Sequence, residues 1–160
     1  MRLRPFELRH NLPEKRQAVA DFGLLISAAK ADVVASIDAA LATLGLTAAQ
    51  YRVVMILAYN GRTTLANLSA EMDYDRGAMS RLLSRLEGKG LLDKSPSATD
   101  KRSMYLSLSA KGNALLPNIR PKVNDVFEKA LGGFSYQERD QLSTLLLRFL
   151  NNLKEISNKG

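Results

Sequence analysis

The sequence predicts a mainly α-helical chain carrying one small β hairpin, and three patterns predict it. Apolar residues recur at three- and four-residue steps along most of the chain, which is the period of a helix with one buried face. After Gly90 the pattern changes to two short runs, LLDK and SMYLSL, separated by the polar, turn-forming stretch SPSATDKR. Across that change the basic residues Arg76, Arg81, Arg85, Lys89, Lys94, Lys101 and Arg102 face only three acids, Glu87, Asp93 and Asp100.

The elements follow in order. Residues 1–17 hold Arg2, Arg4, Arg9, Lys15 and Arg16, punctuated by Pro5 and Pro13, and read as an irregular arm. Val19, Phe22, Ile26, Ala29, Val33, Ile37, Ala40 and Leu44 mark one long amphipathic helix, ended by Gly45. Thr47 and Gln50 form a capping box for a second helix to about Tyr59, and Asn60-Gly61 is a turn signal. Thr64 can cap a short third helix, LANLSAEM. A fourth begins near Asp75, whose carboxylate can accept orphan amide hydrogens, and stops at Gly88–Gly90. Leu91–Lys94 and Ser103–Leu108 are the hairpin strands. Ser109 caps a fifth helix in which Pro117 and Pro121 predict a kink or a break. After Gly132-Gly133, the Ser135/Glu138 box opens a last helix whose stripe is Leu142, Leu145, Leu146, Phe149, Leu150 and Leu153.

The order short helix, short helix, hairpin is that of a winged helix-turn-helix, and the basic residues say which part meets a partner. In the fourth helix Met79, Leu82, Leu83 and Leu86 make the inward stripe, leaving Arg76, Gly77, Ser80, Arg81, Ser84 and Arg85 outside. Gly77 and Ala78 keep the first turn slim. Arg76 and Arg81 have the reach and the donors for guanine edges in a major groove, and Ser80 suits a base edge or a phosphate. Arg85, a turn further on, is better placed for backbone. Lys101 and Arg102 lie near the hairpin turn, where Arg102 can enter a narrow minor groove with Asp100 fixing its guanidinium. Lys94 and Lys111 are expected phosphate contacts. The expected partner is therefore duplex DNA, in agreement with a net charge of +7.

The terminal helices carry more apolar surface than a small winged module needs, so both chain ends are expected to build a homodimer interface. A dimer would set two reading heads on a pseudo-palindromic operator. The expected division is 1–45 for the arm and long dimerisation helix, 46–109 for the winged helix-turn-helix, and 110–160 for the C-terminal helices of the dimerisation lobe.

Three segments in this order resemble the MarR family of winged helix-turn-helix transcriptional regulators: LTAAQYRVVMILAYNG (46–61), LANLSAEMDYDRGAMSRLLSRLEGKGLL (65–92) and DKRSMYLSLSAKG (100–112). The last is similar to that family's wing signature, here Asp100, Arg102, Leu108 and Ser109. The resemblance extends over about residues 18 to 154. It implies an obligate homodimer built from the terminal helices, the fourth helix in the major groove and Arg102 in the minor groove. It further implies a repressor released by a small aromatic or phenolic anion lodged between the dimer lobe and the reading head. Some members instead activate, or antagonise nucleoid proteins, and an effector-independent or architectural DNA binder is the alternative expectation. A winged-helix protein-interaction module fits less well, because the outer face of the fourth helix is rich in Arg and Ser.

Other chemistry is poorly provided for. The chain has no cysteine, which removes thiolate catalysis, disulfides, Cys-ligated zinc and the thiol-sensing branch of the family. Its one histidine, His10, lies in the arm. Glu71, Asp73 and Asp75 crowd together at the start of the fourth helix, where capping explains them better than a metal site. No enzyme activity, cofactor or metal is expected. No apolar run is long enough to span a bilayer, and no apolar signal region opens the chain, so cytoplasmic residence and no membrane partner are expected.

Overall fold

A computed structural model describes residues 14–96 and 104–157, with side chains from residue 21 onward. Its elements are α1 (Glu14–Leu41), a 3-10 turn (Ala42–Leu44), α2 (Ala48–Asn60), β1 (Arg62–Thr64), α3 (Leu65–Met72), α4 (Arg76–Gly88), β2 (Leu92–Pro96), β3 (Met104–Leu108), α5 (Ala110–Ala130) and α6 (Tyr136–Ser157). The chain divides into two compact units, residues 1–123 and residues 124–160.

In the first unit one apolar core joins α1 to α5. Ile37 and Leu41 from the end of α1 meet Val53, Val54 and Leu57 of α2, Leu68 and Met72 of α3, and the α4 stripe Met79, Leu82, Leu83 and Leu86. Leu92, Leu106 and Leu108 of the sheet and Ile119 and Val123 of α5 complete it. The helices start where local side chains satisfy their first amides. Thr47 and Gln50 close the capping box on α2, the Thr64 hydroxyl accepts from the Asn67 amide, and Asp75 Oδ1 accepts from the Ala78 amide at 2.8 Å. Ser109 Oγ accepts from the Gly112 amide at 3.0 Å and donates to the Gly90 carbonyl at 2.7 Å, so one hydroxyl opens α5 and fastens it to the end of α4.

The fourth helix closes in a Schellman motif. The Leu91 amide donates to the Leu86 carbonyl and the Gly90 amide to the Glu87 carbonyl, with Gly90 at φ +70°. Leu91 and Leu86 are both buried, the apolar contact that accompanies this cap. The turn between α3 and α4 uses Asp73 in the left-handed region, φ 55°, a conformation short polar side chains tolerate.

Three sequence expectations need correction. The sheet has three strands, antiparallel in the order β1-β3-β2, because residues 62–64 pair with 105–107. Three residues hold no readable alternation. The prolines do not break α5, which runs unbroken from Ala110 to Ala130. Pro117 and Pro121 stand four residues apart on its exposed side, so the carbonyls that lose an amide partner, those of Asn113 and Pro117, lie on one stripe that water reaches. Helix α1 begins at Glu14, so Lys15 and Arg16 belong to it and not to an irregular arm.

The second unit is the end of α5 and the whole of α6. The Ser135 amide donates to Glu138 Oε2 at 2.7 Å and the Glu138 amide to Ser135 Oγ at 3.3 Å, which is the expected capping box. The Ser135 amide, and after it the Ser135 hydroxyl at 2.8 Å, donate to the Glu138 carboxyl and hold it below its usual range. Arg139 ties the turn together through Glu128 and the carbonyls of Leu131 and Phe134. No residue of α6 is buried, and Leu142, Leu145, Leu146, Leu150 and Leu153 are exposed.

At Gly112 the fold demands a missing side chain: a Cβ there would stand 2.4 Å from the Leu91 carbonyl oxygen, a backbone atom that cannot swing away. Gly112→Ala is expected to destabilise the protein by about 2 kcal/mol, since α5 must back off from the end of α4. Urea unfolding of the variant against the parent chain measures this, and an unchanged midpoint would refute it.

Candidate nucleic-acid interface

The outward face of α4 is where the basic residues gather. Its inner stripe is buried, Met79 and Leu86 completely, which leaves Arg76, Gly77, Ser80, Arg81, Ser84 and Arg85 exposed. At about 100° per residue, these six do not form one uniform basic surface. Arg76 stands at one margin of the exposed arc, Gly77, Ser80 and Ser84 occupy its centre, and Arg81 and Arg85 stand at the other margin. The centre is thus slim and the flanks are cationic. Arg81 leans back along the helix, with a guanidinium nitrogen 3.4 Å from where a Gly77 Cβ would be and the Asp75 carboxylate 3.2 Å from the same point. Gly77 therefore makes room for both.

On the Arg76 side, α4 and the sheet enclose a groove of about 620 Å³ lined by Thr64, Leu65, Arg76, Ser80, Ser84 and Lys94, among others. The sheet register explains which strand residues reach it. Leu106 pairs with Thr63 and Lys94, so Lys94 shares the inward face with Leu106, while Asp93, Ser95, Tyr105 and Ser107 share the opposite face. Lys94 Nζ is 2.5 Å from Glu87 Oε2, an ion pair with both partners more than a third exposed. Exposed pairs of this kind hold weakly, so the lysine remains available to an anion.

The remaining candidates divide. Lys111 Nζ donates to the Lys89 carbonyl at 2.7 Å, which places its ammonium on the C-terminal end of α4, where the helix dipole favours a cation. Asp100, Lys101 and Arg102 fall in residues 97–103, outside the described residues. Two residues were missed from sequence. Arg62 of β1 lies over the Tyr105 ring at 4.6 Å, a diagonal pairing legible only once the third strand is known. Lys89, which in sequence marks only the helix stop, reaches the Gly45 carbonyl and Gln50 Oε1.

Glu71, Asp73 and Asp75 hold no metal geometry: among the described residues no group of three or more His, Cys, Asp or Glu could hold a metal ion. Asp75 caps α4 and Asp73 makes the preceding turn. Among the described residues, no helix is long and apolar enough to cross a membrane.

The family model described as MarR family matches residues 44–103, from the end of the 3-10 turn into the residues between β2 and β3. Solved structures match over most of the chain. A cysteine-to-serine mutant of MarR from E. coli, complexed with operator DNA, is similar with a TM-score of 0.76 and 26% identity, covering 83% of this chain and 96% of that one. Wild-type MarR from E. coli in its apo form gives 0.72 and 25%, covering 89% and 99%. BpsR of Bordetella bronchiseptica, whose DNA binding is regulated by 6-hydroxynicotinic acid, gives 0.71 and 26%, covering 79% and 91%. Residues 44–103 match the MarR family, and the chain resembles solved MarR proteins over most of its length. These matches support DNA-binding transcriptional regulation, and the fold implies dimerisation.

Proposed function

We propose that this protein is a homodimeric repressor of the MarR family that reads a pseudo-palindromic operator with α4 and leaves it when a small aromatic acid binds. The observation that carries the reading is the outward face of α4, whose slim Gly77-Ser80-Ser84 centre is flanked by Arg76 on one side and by Arg81 and Arg85 on the other. A helix seats deeply in a major groove when its centre is slim, and arginines at its margins then lie level with base edges and with the two backbones. Arg76 and Arg81 read bases, Ser80 and Ser84 bond to a base edge or a phosphate, and Arg85 and Lys94 hold backbone. Lys111 reaches phosphate only by leaving the Lys89 carbonyl, which makes it the weakest member of the set. From the wing Arg102 enters the minor groove, with Lys101 beside it and Asp100 fixing its guanidinium.

Residues 46–109 are the reading head, and 1–45 with 110–160 provide the dimer lobe. Support for the lobe comes from the exposed apolar residues Phe22, Leu24, Leu25 and Val34 on α1 and the leucine face of α6. Apolar surface of that extent is covered in solution by another protein surface. Support for ligand release comes from the family and from BpsR, a relative by structure that responds to a hydroxylated aromatic acid. The ligand must bind the DNA-incompetent spacing of the two heads more tightly than the competent one.

Three measurements test this. Arg81→Ala should lower affinity for the selected operator by about 1–3 kcal/mol and relax base preference at one position per half-site, whereas Lys94→Ala should weaken all duplexes alike and reduce the salt slope by about 1 per subunit. Selection from random duplex DNA with each variant reads both effects, and an unaltered motif with Arg81→Ala would move the reading role to Arg76. Sedimentation equilibrium at micromolar protein should give twice the 17.6 kDa chain mass, and a monomer would overturn the lobe assignment. Calorimetry with 6-hydroxynicotinic acid and other aromatic acids should give weaker binding when operator is present. Equal affinity with and without DNA would exclude release.

A further inference from the structure

At the end of α4 remote from Asp75, polar contacts converge on one side chain. Lys89, the C-cap residue of α4, sends its ammonium to the Gly45 carbonyl at the close of the 3-10 turn that extends α1, and to Gln50 Oε1 at 2.8 Å. Gln50 is only 3% exposed, and the same Oε1 accepts from the Thr47 amide, so the lysine docks on the capping box of α2. Asp38 of α1 caps α2 as well, its Oδ1 accepting from the Ala48 amide at 2.6 Å. On the other side, the Lys89 carbonyl accepts from Lys111 of α5. One residue therefore connects α4 to the corner where α1 turns into α2, and to the first turn of α5. Its charge suits the place, because the ends of the 3-10 turn and of α4 both present carbonyl oxygens there.

The apolar contacts of α4 cannot do what these bonds do. Met79, Leu82, Leu83 and Leu86 set which face of the helix is buried, but apolar attraction is non-directional and tolerates small tilts. The helix is about 20 Å long, so a tilt of about 5° about its Lys89 end carries the Arg76 end through nearly 2 Å. A bidentate base contact tolerates about 0.5 Å.

We propose that Lys89 is a positioning residue: by joining the end of α4 to Gly45 and Gln50 it fixes the pose of the reading helix on the α1–α2 corner, and so sets sequence specificity without touching DNA. The proposal rests on the assignment of α4 as the DNA-reading helix.

The test compares Lys89→Met, which keeps length and loses the donors, with Gln50→Leu, which removes the acceptor. Val53→Ala serves as a core variant matched to them for loss of thermal stability. Each is titrated against the operator selected by the parent protein and against random-sequence duplex, at several salt concentrations. Lys89→Met is expected to lower operator affinity about tenfold, a loss of the size a charged hydrogen bond brings. Random-duplex affinity and the salt slope should stay as in the parent. Gln50→Leu should give the same selective loss, and the double variant should be no worse than Lys89→Met alone. The matched core variant should keep its ratio of operator to random binding. A parallel fall on both duplexes with a salt slope smaller by about 1 per subunit would make Lys89 a phosphate ligand and overturn the proposal. An unchanged operator-to-random ratio in both Lys89→Met and Gln50→Leu would overturn it too. A parent protein that selects no motif at all would instead sink the assignment beneath it.

Discussion

The presentation of α4 depends on the burial of one stripe, Met79, Leu82, Leu83 and Leu86, each 8% exposed or less. Burying side chains of this size contributes roughly 1.5–3 kcal/mol apiece. Rotating the helix by a single residue would expose part of that stripe and push a serine or an arginine into the core, where an unpaired polar group is costly. The rotational setting of the helix is therefore decided by apolar residues that never meet DNA. The outward positions follow from it: small ones at the centre, arginines at the margins.

Rotation is only one of the freedoms a short helix has. Its axial position and tilt are set at its two ends, and there the contacts are directional. Asp75 holds the first turn through the Ala78 amide, and Gly90 closes the last through the Schellman bonds. Beyond the cap, Ser109 binds the Gly90 carbonyl, Lys111 the Lys89 carbonyl, and Lys89 itself the α1–α2 corner. Gly112 lets α5 come against the Leu91 carbonyl, so this end is crowded as well as bonded. The C-terminal end of α4 is thus fastened to the turn extending α1, to α2 and to α5, whereas the Asp75 bond at its start is local.

How much of this could be read beforehand follows from the distance over which each feature is encoded. Thr47 with Gln50, Thr64, Asp75, and Ser135 with Glu138 declare their helices because a cap and its partner lie three residues apart. The α4 stripe is legible for the same reason, its members recurring every turn. Strand β1 was not, since RTT is too short to alternate and becomes a strand only through residues 105–107. The prolines misled because their cost depends on which carbonyls they orphan, and here those face water. Lys89 was invisible as anything but a helix stop, since its partners are 44 and 39 residues earlier in the chain.

The exposed apolar residues on α1 and α6 bear on how the two reading heads would be placed. A two-fold dimer made from the chain ends leaves the middle of the chain free and presents it twice, in the symmetry of a palindromic site. In the proposed dimer the separation of the two copies of α4 would be set by the lobe, and each copy would report that separation only as faithfully as it is held. The Gly45–Gln50 corner is where that fidelity is decided, because α1 ends there and α2 begins under the Asp38 and Thr47 caps. A soft corner would let each α4 settle on its half-site whatever the lobe does, and a ligand acting on the lobe would change nothing at the DNA. A stiff corner would turn a small change in lobe spacing into misfit at both half-sites together, so in the proposed repressor the polar fastening of α4 is what would make control from a distance possible.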